Sequence, residues 1–406
     1  MPYQTLEKAF YADASSSRHS NHETLYLSRL NADSTIRTGI DLQNGELFCA
    51  VPMELAATSE RILTSECRIA SLWDSLPHVA KGAQIRSLVL DEVVYSNEIE
   101  GVHSTRRQIE AALAKAESHR EEHTPFLELA KLYLGLSETT ELPAKPSDIR
   151  AIFDAVVDGA LSDFDKPDGI LFRAGPVHIE NNRGKTLHEG IVPEEKIAGL
   201  LDQTMEFCRR DDIPHLLSAV LGHFLFEYIH PFYDGNGRTG RYLLALYLSR
   251  TLGQTTVLSL SRTIAENKNA YYKGFDAVER PLNRCEATPF AMMLLDLIEQ
   301  AQDGIVADLE GKSCQLAALR QSLAQFEDDL PERKLETLRY AAQMHMFEAF
   351  GETTLTGLAE HLDVSKATAS KMLTEWIAEG MLEKLSSRPF VCRLTRNAID
   401  RLQLES

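Results

Sequence analysis

The run His230-Pro231-Phe232-Tyr233-Asp234-Gly235-Asn236-Gly237-Arg238-Thr239-Gly240-Arg241 gathers an imidazole, one carboxylate, two glycines around an asparagine, and two arginines. That set suits phosphate. Backbone N–H groups at Gly235, Asn236 and Gly237 can form an anion nest, because glycine tolerates positive φ and close approach. A helix opening near Gly237 would add its free N–H groups and the positive end of its dipole. Arg238 and Arg241, three residues apart, share a face of that helix and can grip a polyphosphate from one side. Asp234, the only carboxylate in the loop, suits a Mg²⁺ that bridges phosphate oxygens. His230 is left as the natural general base.

The elements that must position these groups follow from periodicity. Leu216, Leu217, Val220, Leu221, Phe224, Leu225 and Tyr228 recur at helical spacing and predict an amphipathic helix that ends at His230. Tyr242 to Leu252 has the composition of a second, largely buried helix. Pro231 and Gly235 break the pattern between them, giving a helix–loop–helix.

The run resembles the Fic-family signature HPFx(D/E)GNGRxxR, and every fixed position is met. The resemblance implies a protein adenylyltransferase, which moves AMP from ATP, with Mg²⁺, to Ser, Thr or Tyr hydroxyls of proteins, itself included. It implies that His230 deprotonates the hydroxyl and Asp234 coordinates Mg²⁺. Gly235, Asn236 and Gly237 would hold the α- and β-phosphates, Arg238 and Arg241 the β- and γ-phosphates, and Phe232 would anchor the loop. Upstream, Ser96, Glu100 and Gly101 match the family's inhibitory pattern [S/T]xxxE[G/N]. Four residues apart, Ser96 and Glu100 share a helix face, where the hydroxyl can orient the carboxylate. The resemblance pairs Glu100 with Arg241, in a fork that would occupy donors the γ-phosphate needs and misplace the α-phosphate. The placement resembles the class whose inhibitory helix precedes the catalytic domain. Whether the same site also removes AMP by hydrolysis, with Glu100 orienting water, stays open.

Val177-His178-Ile179 and Thr186-Leu187-His188 lie either side of Asn181-Asn182-Arg183-Gly184 and predict a β-hairpin. Its position resembles the Fic flap, which implies that Val177, His178 and Ile179 receive an extended target segment as an added strand. His178 and His188 could suggest a metal, but surface histidines are the preferred reading, as they are for His215 and His223. Glu266 to Lys273 resembles the helix that closes over the nucleotide base. Asn267 would then meet adenine or ribose and Tyr271 would stack nearby, against the plainer alternative of a surface asparagine and a core tyrosine.

The remaining expectations concern scaffold. Residues 1 to 45 read as loosely structured or a lead-in strand. A helix is expected from Ala56 to Leu72, capped by Thr58 or Ser59, and another from Ala83 to Ile99 with Gly101 as its C-cap. Arg106 to Ala116 is helical and Thr124-Pro125 a break. Glu141 to Asp148 is a loop in which Ser147 caps a helix through Val156. Helix returns from Pro289 to Phe326, and Glu327-Asp328-Asp329-Leu330-Pro331 is a boundary. Beyond it, helices at Leu355–Leu362 and Lys366–Glu379 and a hairpin at Leu382–Leu394 resemble a winged helix. The fold class is therefore mainly α: a Fic helical core with a β-hairpin flap, plus a C-terminal winged helix. The domains expected are 1–125, an N-terminal helical region with the inhibitory helix, 126–326, catalytic, and 333–406, winged helix.

Composition bounds the alternatives. The 406 residues suffice for two or three domains, and 44% hydrophobic with 25% charged content is that of an ordinary globular protein. No apolar run approaches the roughly eighteen residues of a membrane span. Met1 to Lys8 lacks the basic and apolar regions of a signal peptide. The six cysteines are scattered without CxxC spacing, as expected of reduced thiols in a cytoplasm. A net charge of −18 opposes bulk attraction to nucleic acid or anionic membrane. Arg333 to Ser406 holds ten basic and ten acidic residues, so the acidic excess lies in residues 1–332. Lys366, Lys371, Arg388 and Arg393 offer at most a modest basic face, and protein contact or packing is preferred to DNA. The partners expected are ATP and a protein substrate, with a homodimer left open. A second reading, a nucleotide-sensing DNA-binding transcriptional regulator, is disfavoured because sensing alone does not require a base such as His230.

Overall fold

The computed structural model describes residues 3–117, 126–138, 141–162, 164–180, 186–326 and 330–404. The expected breaks at Thr124-Pro125, Asn181–Gly184 and Glu327–Asp329 lie outside the described residues. The protein is mainly helical, with three small antiparallel sheets among the described residues. The chain divides into two units, residues 1–66 with 91–302 and residues 67–90 with 303–406.

The first unit opens with α1 (Leu6–Ala12), α2 (Arg18–Leu30) and a hairpin of β1 (Ile36–Leu42) and β2 (Gly45–Cys49). The expectation of a loose lead-in is thereby corrected. Thr5 caps α1 through the amide of Lys8, and distant partners hold both helices. The Glu7 amide donates to Asn283, His22 Nε2 meets the Leu282 carbonyl, and Arg29 pairs with the buried Glu286 at 2.8 Å. A local reading has no access to such partners. Helix α3 (Met53–Asp74) starts earlier than expected: Thr58 and Ser59 are not caps but lie mid-helix, their hydroxyls bonded back to the carbonyls of Glu54 and Leu55. Helix α4 (His78–Ile99) ends as expected at Gly101, which takes φ +73°. Then come α5 (Arg106–Glu117), α6 (Leu127–Leu134) and α7 (Pro146–Val156). Ser147 does not cap α7; the Asp148 carboxylate does, accepting from the amides of Ala144 and Lys145.

The expected flap hairpin is present as β3 (His178–Glu180) and β4 (Thr186–Glu189), with His178 opposite Glu189 and Ile179 opposite His188. Helices α8 (Glu194–Cys208), α9 (His215–Ile229) and α10 (Asn236–Leu248) form the centre of this unit, α9 packing on both neighbours. Both α9 and α10 are buried almost all round: α9 is apolar on every face rather than amphipathic as expected, while the first turns of α10 bury Asn236, Arg238 and Arg241. Helix α11 (Gln254–Val257) follows, and Asn267 then separates α12 (Leu260–Glu266) from α13 (Lys268–Glu279). The long α14 (Thr288–Ala324) contributes its first half to this unit.

The second unit holds α15 (Glu332–Phe347), β5 (Glu352–Thr354), α16 (Leu355–His361), α17 (Lys366–Ala378), β6 (Leu382–Ser387), β7 (Phe390–Leu394) and α18 (Arg396–Arg401). Its sheet runs β5-β7-β6, antiparallel throughout. Thr354, Ser365 and Thr395 cap α16, α17 and α18 through side-chain oxygens. Leu358, Leu373, Trp376, Leu382 and Cys392 share one core cluster there, and Trp376 donates Nε1–H to the Lys334 carbonyl. The division between units falls inside α3, α4 and α14.

Candidate active site

Helix α9 stops at Ile229 because His230 turns left-handed, with φ +51° and ψ +64°, while its amide still reaches the Phe226 carbonyl at 3.0 Å. For a side chain with a Cβ that conformation costs about 1–2 kcal/mol, so it must be held from outside. Arg173 holds it. This guanidinium, fully buried, donates to the carbonyls of His230 (2.8 Å), Gly175 (2.7 Å) and Ile191 (2.8 Å). It thereby ties the segments before and after the hairpin to the backbone of the candidate base. The sequence reading passed Arg173 by, because its three acceptors are backbone carbonyls, two of them 18 and 57 residues away along the chain.

The loop itself is closed from within. Phe232, fully buried, stacks on Phe153 with ring centroids 3.5 Å apart and planes 10° from parallel. The Asn236 side chain accepts from the Phe232 amide at 3.0 Å and donates to the Phe232 carbonyl at 2.8 Å. The asparagine amide thus shapes the loop, leaving backbone N–H groups to face a ligand. Gly235, at φ +82°, is the N-cap of α10; a Cβ there would also strike Val157. The first N–H groups of α10 have no partner within the helix and sit at its positive end. Tyr233 donates to Asp168 at 2.9 Å and accepts from the Gly175 amide at 2.8 Å, a second tie between loop and hairpin.

Charge is distributed unevenly across this loop. Arg241, buried, donates Nη1 to Glu100 Oε1 (2.8 Å), Nε to the Ser96 hydroxyl (3.0 Å) and Nη2 to the Ser96 carbonyl (2.8 Å). The Ser96 hydroxyl therefore orients the arginine and not, as expected, the carboxylate. Burial alone would raise the Glu100 carboxyl. The charge and hydrogen bond of Arg241, with Arg238 and Lys268 beyond, leave it below the usual range. Glu100 seats against Gly237, where a Cβ would collide with its carboxylate. Arg238 is fully buried, yet none of its three nitrogens has a hydrogen-bond partner. Asp234 Oδ2 lies 3.6 Å from it, too far for a bond, while Oδ1 accepts from the Gly235 amide at 2.6 Å. Burial pushes the Arg238 pKa down against the pull of Asp234, but an arginine stays charged. An orphaned buried guanidinium fits a bound anion. A half-exposed carboxylate with one oxygen spare fits a Mg²⁺ whose other ligands are water and phosphate.

His230 faces the Glu227 carbonyl through Nδ1 at 3.2 Å. A carbonyl only accepts, so Nδ1 carries the proton and Nε2 the lone pair. Burial, followed by the charge of His188, pushes the His230 pKa down to about 4, which keeps that lone pair available at neutral pH. His230, Glu100, Gly237, Arg241, Glu227 and Ile179 all line one cavity of about 300 Å³. Glu227 is a further residue the sequence reading missed. Burial, then the neighbouring Glu100, pushes its carboxyl up to about 8, so it is a neutral acid at the cavity wall.

Of the expected flap residues, Ile179 lines the cavity, His178 is exposed near Glu189 (3.9 Å), and the Val177 carbonyl accepts from the Gly190 amide. Tyr271 also lines the cavity, its hydroxyl 2.6 Å from His223 Nε2. Asn267 is not brought to the cavity; its amide donates to the Thr263 carbonyl and to Gln300. The surface reading of His188 and His223 is corrected. His188 is held between Glu279 and the Tyr228 carbonyl, and His223 between the Gly240 carbonyl and Tyr271. His215 stays half-exposed beside Asp211 and Arg250.

Comparison with known proteins places this geometry. Residues 143–248 match the model of the Fic/DOC family. The chain is 25% identical over 239 residues to the protein adenylyltransferase Fic of Drosophila yakuba, covering 56% of this chain and 44% of that protein. It is 27% identical over 259 residues to its counterpart in Drosophila mojavensis, covering 59% and 47%. The chain thus spans about half the length of the curated relatives it matches. The crystal structure of a Fic family protein from Desulfovibrio desulfuricans superposes with a TM-score of 0.51 at 18% identity, covering 85% of this chain and 97% of that one. At that identity the likeness is one of fold.

Proposed function

Because this chain carries a Fic domain, we propose that it is a protein adenylyltransferase held in check by its own Glu100. The observation that carries the reading is Arg238, a buried cation with no hydrogen-bond partner and only Asp234 near it at 3.6 Å, in the first turn of a helix whose N-terminus opens beside a poised imidazole. ATP supplies what is missing there: its phosphates would take the α10 N–H groups, Arg238 and, once Glu100 withdraws, Arg241. Asp234 would hold the Mg²⁺, which when bound neutralises charge on the phosphate oxygens. A Ser, Thr or Tyr hydroxyl of the target, presented along the edge of β3, attacks the α-phosphorus. His230 Nε2 takes its proton, the Pα–O bond to the β-phosphate breaks, and pyrophosphate leaves. Glu100 opposes this by occupying Arg241 and the space beside Gly237. For the second unit, the order α16, α17, β6, β7 supports a winged helix, since its helices and hairpin follow that succession.

The reading is tested by incubating the full chain carrying Glu100→Gly with ATP and Mg²⁺ and weighing it. A mass gain of one AMP on a hydroxyl residue, lost in His230→Ala, is the expected result. A gain of one phosphate, or a gain that persists in His230→Ala, would overturn it.

A further inference from the structure

We propose that His188 is a positioning residue, a clamp that fixes the β3–β4 hairpin to α13 and to the last turn of α9. The proposal rests on the reading of that hairpin as the edge that receives the target segment.

His188 is a buried side chain between two acceptors. Nδ1 lies 2.7 Å from Glu279 Oε2 on α13, and Nε2 lies 2.8 Å from the Tyr228 carbonyl, two residues before His230. Each ring nitrogen thus has a hydrogen-bond partner on a different element. Donation to a carboxylate in a site shielded from water is among the stronger hydrogen bonds. Both acceptors are themselves held. Asn44 donates to the Glu279 carbonyl at 2.9 Å, and the Gln43 amide donates to the Tyr228 hydroxyl at 3.2 Å. The turn between β1 and β2 therefore backs the clamp from behind.

The position of this clamp decides what it sets. His188 stands opposite Ile179 across the hairpin, and Ile179 lines the cavity that holds His230. The rings of His188 and His230 are 6.3 Å apart between centroids. Backbone bonds continue the connection: the Gly190 amide donates to the Val177 carbonyl, and the Ile191 amide to the Ile229 carbonyl. Without His188, β4 keeps those backbone bonds but loses its side-chain tie to α13. The distance from the hairpin edge to His230 Nε2 is then no longer fixed. A base and an acceptor strand on separate elements must hold their spacing to within fractions of an ångström for in-line attack. Glu279 is the natural partner because α13, which carries it, also lines the cavity through Tyr271, Tyr272 and Phe275.

The test uses the full chain and two readouts. Amide hydrogen exchange at Gly190 and Ile191 is measured in wild type, His188→Ala, Glu279→Ala and the double variant at a single pH. Each single change should speed exchange by about tenfold, and the double variant should exchange no faster than the quicker single one. Unchanged exchange, or effects that multiply, would overturn the clamp. Transfer is then measured in a Glu100→Gly background, with the His230→Ala chain as acceptor. His188→Ala should act mainly by raising KM for that acceptor, and His188→Gln, which retains one N–H, should recover part of the loss. A fall in kcat with KM unmoved would count against positioning. If Glu100→Gly itself transfers nothing, the transferase reading fails, while the exchange result still decides the clamp.

Discussion

Arg241 and Arg238 leave the same helix one turn apart, yet the first is bonded through Nε, Nη1 and Nη2 and the second through none. Both are buried. At the Arg241 end, α4 delivers Ser96 and Glu100 as substitutes for a ligand. At the Arg238 end, the guanidinium makes no hydrogen bond and has only the half-exposed Asp234 carboxylate near it, at 3.6 Å. A buried ion whose partners are supplied by the chain contributes to the fold, whereas one without partners is kept for what it binds. The site is thus half filled by the protein itself.

The contrast is broken most directly by removing each arginine. Arg241→Met leaves the Glu100 carboxylate without its main partner and should cost about 3–5 kcal/mol of stability. Arg238→Met removes a buried charge that makes no hydrogen bond and should leave stability unchanged or raised, while abolishing nucleotide binding. Denaturant unfolding and ATP titration of the two variants check this pair; equal losses of stability would show that Arg238 has a partner after all. A smaller effect separates the carboxylates around Arg241. The Glu227 carboxyl is raised to about 8, above its unfolded value near 4.5. Its contribution to stability is therefore full below the unfolded value and is lost as pH rises towards 8, because the folded chain must retain a proton that the unfolded chain has released. Glu227→Gln lacks that loss, so its melting temperature relative to wild type should rise between pH 5 and pH 8. A difference constant with pH would show that burial, with Glu100 beside it, does not raise the Glu227 carboxyl.

How much of this was readable beforehand depends on sequence separation. The His230–Arg241 run is contiguous, so its loop, its helix N-terminus and its two arginines follow from residue types alone. Ser96 and Glu100 were legible as a pair because four residues make one turn, but which of them the Ser96 hydroxyl serves was not. The donor to that hydroxyl, Arg241 Nε, comes from 145 residues away. Arg173 and His188 stayed hidden for the same reason: the acceptors they grip are mostly backbone carbonyls, and a carbonyl leaves no mark on the sequence. Asn236 shows the converse. Its backbone N–H was read as part of an anion nest, but the use of its side chain in closing its own loop was not visible in the sequence. In the N-terminal segment, α1 and α2 were missed because their holding groups, Asn283 and Glu286, lie more than 250 residues downstream.

The central claim, an AMP transfer site restrained by Glu100, is tested most directly by offering ATP labelled at the α- or the γ-phosphate. Wild type, Glu100→Gly and His230→Ala would be compared for label fixed on protein. The account predicts label from the α position only, at least tenfold stronger in Glu100→Gly than in wild type, and none in His230→Ala. Label from the γ position, or equal labelling by wild type and Glu100→Gly, would contradict it.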